Sequence, residues 1–299
     1  MNIITNKKHF WLIWALSIVT LAASAYIIIA SKNNPKISIV SSPAVTETKK
    51  ASETFAVYGD SRTGHDIHRQ IVNQIASLNP KFVLHTGDMV NNGSIDEEWD
   101  RFNEIARSIK SQLFPVLGNH EQNSKLYYDN FNLPNNERWY SVEASFIDFI
   151  FLDSNIAIES SSEQMKWLES ELSRVTQNNK FIIVVFHHAP FSSANHGMDK
   201  NVLKLQTDLV PILETNQVSL TLNGNDHVYE RSYRNGIYYL TIGGGGAPLY
   251  SKKFDNSYSQ KFFSVYNYAK ITASENQLDI TAYNASGTEI DALIIFKTK

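Results

Sequence analysis

Apolar and polar positions along this chain follow two rhythms. Between Thr54 and Asn225, short apolar runs are each followed by a stretch with helical spacing. "TFAVYGD" (Thr54–Asp60) predicts a buried strand, and "HDIHRQIVNQIASL" then places Ile67, Ile71, Ile75 and Leu78 on one helix face. The unit recurs. "KFVLHTGD" (Lys81–Asp88) precedes "SIDEEWDRFNEIARSI", where Ser94 is the expected N-cap and acids fill the first turn. "QLFPVLGNHE" (Gln112–Glu121) is a third strand. "SFIDFIFLDSN" is a fourth, ending near Asp153, and it leads into the amphipathic "SSEQMKWLESELSRV". "KFIIVVFHHAP" is a fifth, followed by a helix around "VLKLQTDLVPILE" and a sixth strand in "SLTLNGNDHVYERS" (Ser219–Ser232). The second rhythm begins there. "GIYYLTIGGGG", "FFSVYNYAKITAS", "NQLDITAYNAS" and "EIDALIIFK" read as consecutive strands with no helix between them. Strand–helix alternation followed by a β-rich C-terminal part predicts an α/β (α+β) domain over residues 54–299.

The N-terminus breaks both rhythms. From Phe10 to Ala30 there is no charged residue, and about 20 apolar residues suffice for a helix to span a bilayer. Lys7 and Lys8 precede this run and favour a cytoplasmic N-terminus, which puts the remainder outside. We read residues 1–30 as an uncleaved transmembrane anchor. The alternative is a signal segment cut near "ASA" (Ala23–Ala25), giving a secreted protein. Residues 31–53 are polar and rich in Ser, Thr and Lys, as a solvated linker would be.

Composition narrows the chemistry. With 299 residues, 42% of them hydrophobic, the chain can bury a large core, and a net charge of -3 gives no basic face for nucleic acid. There is no cysteine, so thiolate catalysis and thiolate metal sites are excluded; any metal must sit on His, Asp, Glu or Asn. Those residue types gather at strand ends: Asp60, Asp88, Asn119–His120–Glu121, His187–His188 and Asn225–Asp226–His227. The carboxyl ends of strands in an open α/β sheet are where sites form, so five tips of one chemical type point to a single constellation.

The ordered blocks "GD" (Gly59–Asp60), "GD" (Gly87–Asp88), "GNHE" (Gly118–Glu121), "HHAPFSSANHG" (His187–Gly197) and "GNDHVYER" (Gly224–Arg231) resemble those of the calcineurin-like metallophosphoesterases. The likeness is to the purple-acid-phosphatase-like branch, and "QMKWLESEL" and "GGGGAPLY" (Gly243–Tyr250) suggest its bacterial members. The resemblance implies a four-layer sandwich, two packed mixed β-sheets flanked by helices. It also implies two divalent ions (Mn, Fe or Zn) and hydrolysis of a small phosphate ester by a metal-bound hydroxide. By the same resemblance Asp88 bridges the ions, Asp60 and His227 hold the first, and Asn119 and His187 hold the second. His120 then faces the phosphate with Glu121 orienting its ring, and His196 is a second substrate-facing histidine. His188 and His85 are expected to pack or brace, the four glycines to form a tight turn, Glu230 and Arg231 to pair, and Asp153 to brace a loop.

Two positions depart from the family pattern. Asn225 stands where relatives have a second-metal histidine, a neutral and weaker donor that is expected to loosen the second ion. Arg62 stands where many relatives carry a first-metal histidine, and guanidinium has no lone pair to give. It is expected to clamp substrate phosphate instead, with His65 or His68 as candidates for the vacated ligand position. Asn91, similarly, cannot supply the metal-binding tyrosine of true purple acid phosphatases. The departures leave a metal-poor binding protein as an alternative function. "GDS" and "NGND" raise a serine esterase as a remote one, although no histidine follows His227 to activate the serine.

Overall fold

The computed structural model describes residues 51–297, which lie within one compact unit, Lys49–Lys299. The apolar run at 10–30 and most of the linker fall outside the described residues. Among the described residues no helix is long and apolar enough to cross a membrane.

Thirteen strands form two sheets among the described residues. The first sheet holds β1 (Glu53–Tyr58), β2 (Phe82–His85), β3 (Gln112–Pro115), β11 (Asn267–Ala273), β12 (Gln277–Asn284) and β13 (Glu289–Phe296), in the order β13-β12-β11-β1-β2-β3. The second holds β4 (Tyr140–Glu143), β5 (Ile147–Phe151), β6 (Phe181–His188), β7 (Leu220–Gly224), β8 (Tyr229–Arg234), β9 (Ile237–Ile242) and β10 (Ser259–Phe263), in the order β10-β8-β9-β7-β6-β5-β4. β1, β2 and β3 run parallel, as do β5, β6, β7 and β9, whereas β11 joins β1 antiparallel; both sheets are mixed.

Strand alternation explains why the sheets stack. In β1, Phe55 and Val57 face the inter-sheet core with Phe149, Phe151, Ile183 and Val185 from the other sheet, while Ala56 and Tyr58 point outward. Each such buried aromatic or branched side chain stabilises the sandwich by about 1.5–3 kcal/mol. Helices cover the outer faces. α1 (His65–Leu78) and α2 (Asp96–Ala106) pack Ile71, Ile75 and Ile105 on the first sheet. α4 (Glu163–Val175) packs Met165, Leu168 and Leu172 on the second, alongside α5 (Lys200–Lys204), which runs through a π-helical turn into α6 (Val210–Thr215). Ser162 caps α4 by accepting from Met165 N–H at 3.3 Å. The layers are helix, sheet, sheet, helix, as the resemblance implies.

Three local expectations are corrected. Ile95, not Ser94, is the N-cap of α2, and it offers no side-chain bond; instead Glu98 in the first turn reaches back to the amides of Asn91 and Asn92. "FFSVYNYAKITAS" is two strands in different sheets, because the chain crosses from β10 to β11 between Phe263 and Asn267. A short helix α3 (Lys125–Asn130) and the strand β4 intervene after the third strand and are too brief to show a period.

His68 is not a site residue. It is buried on α1, its Nε2 lies 3.2 Å from Tyr58 Oη, and its ring stacks on Phe102. Burial, with the charges of His65 and Arg69, pushes its pKa down to about 3. A histidine in an unfolded chain takes its proton near pH 6.5, so between about 6.5 and 3 only the unfolded state binds it. Stability is therefore expected to fall as pH drops through that window, and His68→Gln to flatten part of the slope of Tm against pH. An unchanged slope would count against this origin.

Candidate metal centre

The tips of β1, β2, β6 and β7 and the loop after β3 meet at one edge of the sandwich. Three of the residues there carry left-handed backbone despite having side chains: Asp60 (φ 57°), Asp88 (φ 58°) and Asn225 (φ 65°). Such conformations are uncommon outside glycine and persist where surrounding structure enforces them. Close approach is the reason the flanking glycines are needed. A Cβ on Gly118 would meet Asp88 Oδ1 at 2.1 Å, and one on Gly224 would meet Asp60 Oδ2 at 2.4 Å. These are the glycines of the "GNHE" and "GND" blocks.

Asp60, Asp88 and His187 each offer a ligand atom within 4.8 Å of the others, and all three are buried. Burial and the Asp88 charge hold the Asp60 carboxyl well above the ordinary carboxylate range, although the Asn225 N–H donates to both its oxygens at 3.0 and 3.2 Å. Burial also opposes the Asp88 charge, but His187, His120 and Arg62 together bring it below the ordinary value. Of these, Arg62 is the permanent cation, because burial keeps His187 down and neutral. Two such carboxylates pressed together call for a cation.

The histidine tautomers say where it sits. His187 Nδ1–H donates to Thr86 O at 2.8 Å, so its Nε2 lone pair faces Asn119 Oδ1 at 3.1 Å and Asp88 Oδ1 at 3.4 Å. Three acceptors thus converge with no proton between them, which suits a metal ion held with its ring fixed by a backbone carbonyl. His227 Nδ1–H likewise donates to Pro248 O at 2.7 Å, and Nε2 looks towards Asp60 Oδ1 at 3.7 Å. Burial and Arg62 contribute to pushing His227 down to about 4. Tyr250 stacks on its ring at 4.1 Å between centroids.

Arg62 lies within the group. Its Nε donates to Asp88 Oδ2 at 3.2 Å, one terminal nitrogen to Asn91 Oδ1 at 3.3 Å, and the other to His227 Nε2 at 3.4 Å. His120 donates through Nδ1–H to Asn91 O at 2.7 Å, leaving Nε2 3.8 Å from Asp88 Oδ2. His196 stands farther out, its Nδ1 paired with Asp199 at 2.7 Å and its ring 5.7 Å from that of Tyr250. His65 is exposed on α1, so neither helix histidine fills the position vacated at Arg62.

Glu121 does not orient the His120 ring. Its carboxylate turns inward and accepts four backbone N–H groups, from Gly118 (2.7 Å), Asp88 (2.9 Å), Met89 (2.8 Å) and Val90 (3.3 Å). Burial and Asp88 push it up to about 8 while those amides pull the other way. Glu230 and Arg231 do not pair either: Arg231 bonds Asp291 at 2.7 Å, and Glu230 accepts from Ser193. Asp153 does brace its loop, through Arg138 at 2.6 Å and Asn155. His188 turns from the centre to Ser154 at 2.8 Å, and the four glycines form a turn against β1, Gly245 N–H donating to Gly59 O. Asp226, grouped with the strand tips but given no role from the sequence, accepts the amides of Asn195 and His196 on its carboxylate and so places the His196 loop. Its only signal was its place inside "GNDH".

Ser61 touches a histidine after all, His85 Nε2 at 3.1 Å. The tautomer is wrong for a nucleophile. His85 Nδ1 accepts the Gly87 N–H at 3.2 Å, so Nε2 carries the proton and donates to Ser61 instead of taking its hydrogen. On this geometry His85 does not activate Ser61 as a nucleophile.

A metallophosphoesterase is what two parallel-centred sheets with buried Asp60, Asp88 and His187 and an exposed Asn119 at one edge define, and comparison agrees: residues 54–229 match the calcineurin-like phosphoesterase family, to which this chain belongs. Among similar proteins, "Purple acid phosphatase 18" of Arabidopsis thaliana is 26% identical over 218 residues, 64% of this chain and 49% of that protein. "Purple acid phosphatase 3" of the same plant is 27% identical over 280 residues, covering 78% of this chain and 75% of its own length. The chain thus spans about half the length of some curated relatives it matches. The purple acid phosphatase PPD1 from yellow lupin seeds shares the fold, with a TM-score of 0.73 at 19% identity over 83% of this chain and 54% of that one.

Proposed function

We propose that this chain hydrolyses phosphate esters at the centre formed by Asp60, Asp88, Asn119 and His187, outside a membrane to which residues 10–30 anchor it. The proton-free convergence of His187 Nε2, Asn119 Oδ1 and Asp88 Oδ1 carries this reading. A divalent ion (Mn, Fe or Zn) held there would supply Lewis acidity toward the phosphoryl group and the attacking water. Arg62 spends three of its five N–H groups on Asp88, Asn91 and His227, and the remaining two are free to bind phosphate oxygens. His120, its ring fixed by Asn91 O and partly exposed, is placed to donate a proton from Nε2 to the leaving oxygen when it carries a proton on both ring nitrogens. His196 faces substrate from the rim, with Asp226 holding its backbone. A cavity of about 430 Å³ beside Asn119, lined also by Gln122, Asn123, Asn155 and His188, receives the leaving group. "QMKWLESEL" and "GGGGAPLY" support a place in the bacterial branch, and the lysines before the apolar run support the exported side.

Turnover of p-nitrophenyl phosphate and bis-p-nitrophenyl phosphate with added Mn²⁺ or Zn²⁺ tests the reading. EDTA is expected to abolish activity. His120→Ala should lower kcat by about 10²–10⁴-fold with little change in KM. Because charged esters do not cross a bilayer, activity on intact cells is expected if the domain is outside and only after lysis if it is not. A folded chain without turnover under any metal would favour the metal-poor binding protein.

A further inference from the structure

The two departures from the family pattern near the first-ion position, Arg62 and Asn91, touch each other. Arg62 bonds Asn91 Oδ1 at 3.3 Å, and its own backbone N–H donates to Asp88 O at 3.2 Å. The guanidinium is therefore tied at several points and lies directly between the bridging carboxylate and the first-ion histidine, 3.2 Å from Asp88 Oδ2 and 3.4 Å from His227 Nε2. Both contacts consume what an ion would need. His227 has one free lone pair, since its Nδ1–H is given to Pro248 O, and Arg62 occupies it. Asp88 Oδ2 is occupied by the same group, while the other carboxylate oxygen faces His187. A guanidinium stays protonated, so a divalent ion entering there meets a fixed like charge at contact distance.

From this we infer that Arg62 replaces one of the two ions of the family, and that the chain holds a single divalent cation between Asp60, Asp88 and His187 with Asn119. The inference rests on the hydrolase reading but changes its chemistry: one metal and one guanidinium share the work that two metals do in a dinuclear site. Sequence points to the Asn225 side as the weaker position; the geometry points to the His227 side. Asn91 is then a positioning residue that holds both Arg62, through its side chain, and His120, through its carbonyl. Arg62 and Asn91 thus form a linked pair in place of a missing histidine and tyrosine, instead of two separate losses.

Metal content of the full-length chain, loaded with Mn²⁺ and freed of excess, decides this without reference to activity. One ion per chain is expected, with the paramagnetic resonance pattern of an isolated Mn²⁺. The double variant Arg62→His with Asn91→Tyr should raise the ratio from one to two and produce the signature of coupled ions. Two ions in the wild-type chain would overturn the inference while leaving phosphate-ester hydrolysis standing. A wild-type chain that takes up no ion would overturn both. The wild-type ratio alone is decisive should the double variant misfold.

Discussion

Replacing Asp88 by asparagine is expected to strip the bound metal from the protein and reduce turnover below detection. Every atom of this carboxylate is in use: Oδ1 accepts the His120 amide at 3.1 Å and faces His187 Nε2, and Oδ2 accepts Arg62 Nε. An asparagine amide satisfies only one side. Turned one way, its NH₂ meets the Arg62 donors; turned the other, it takes the His187 lone pair with a hydrogen bond and closes the metal position. The loss should exceed the about 10²–10³-fold that follows from removing one stabilising group at a reacting centre, because ligand, charge and clamp go together. Metal analysis beside kcat, with circular dichroism to show the fold retained, checks this. Retained metal with retained activity would remove Asp88 from the centre.

Glu121→Ala should produce the largest loss of stability, at a residue first expected to orient the His120 ring. Four buried amides lose their acceptor at once. At about 1–3 kcal/mol for each unsatisfied buried group, the sum is at least about 4 kcal/mol, a large part of the roughly 5–15 kcal/mol that holds a domain together. Glu121→Gln keeps one acceptor oxygen and should lose less. Denaturant midpoints of the two variants give the comparison; an alanine variant as stable as wild type would show that water replaces the carboxylate. Because those amides include that of Asp88, metal affinity should fall with stability.

Much of the centre was legible in the sequence because α/β strands end in a fixed place. Once Asp60, Asp88, Asn119 and His187 are recognised as strand tips, topology brings them together whatever the loops do. Period predicted the strand–helix alternation, while the four layers were implied by the resemblance; outward-facing residues such as Ala56 and Val184 pack under the covering helices. What was hidden depended on angles and partners. Nothing in "GNHE" says that the glutamate turns back on its own loop, for that follows from the backbone path between β3 and α3. Arg231 finds Asp291, sixty positions away, in preference to its neighbour, because adjacent strand residues point to opposite faces. The Arg62–Asn91 contact was equally invisible, although each residue had been noticed singly. The crossing from β10 to β11 escaped because apolar alternation runs unbroken through the residues where the chain changes sheets.

The pairing of β1 with β11 has a consequence for how the molecule comes into being. Glu53 lies opposite Ala273 and Val57 opposite Ala269, so the opening strand of the domain finds one of its two neighbours only after the whole second sheet has been made. Contacts so distant in sequence form slowly. Until β11 has left the ribosome, the strand leading to Asp60 keeps an unsatisfied flank, ready to join another nascent chain. Maturation of the centre is thereby tied to the synthesis of β11, and a product truncated before Asn267 would be one that aggregates before it could ever be loaded.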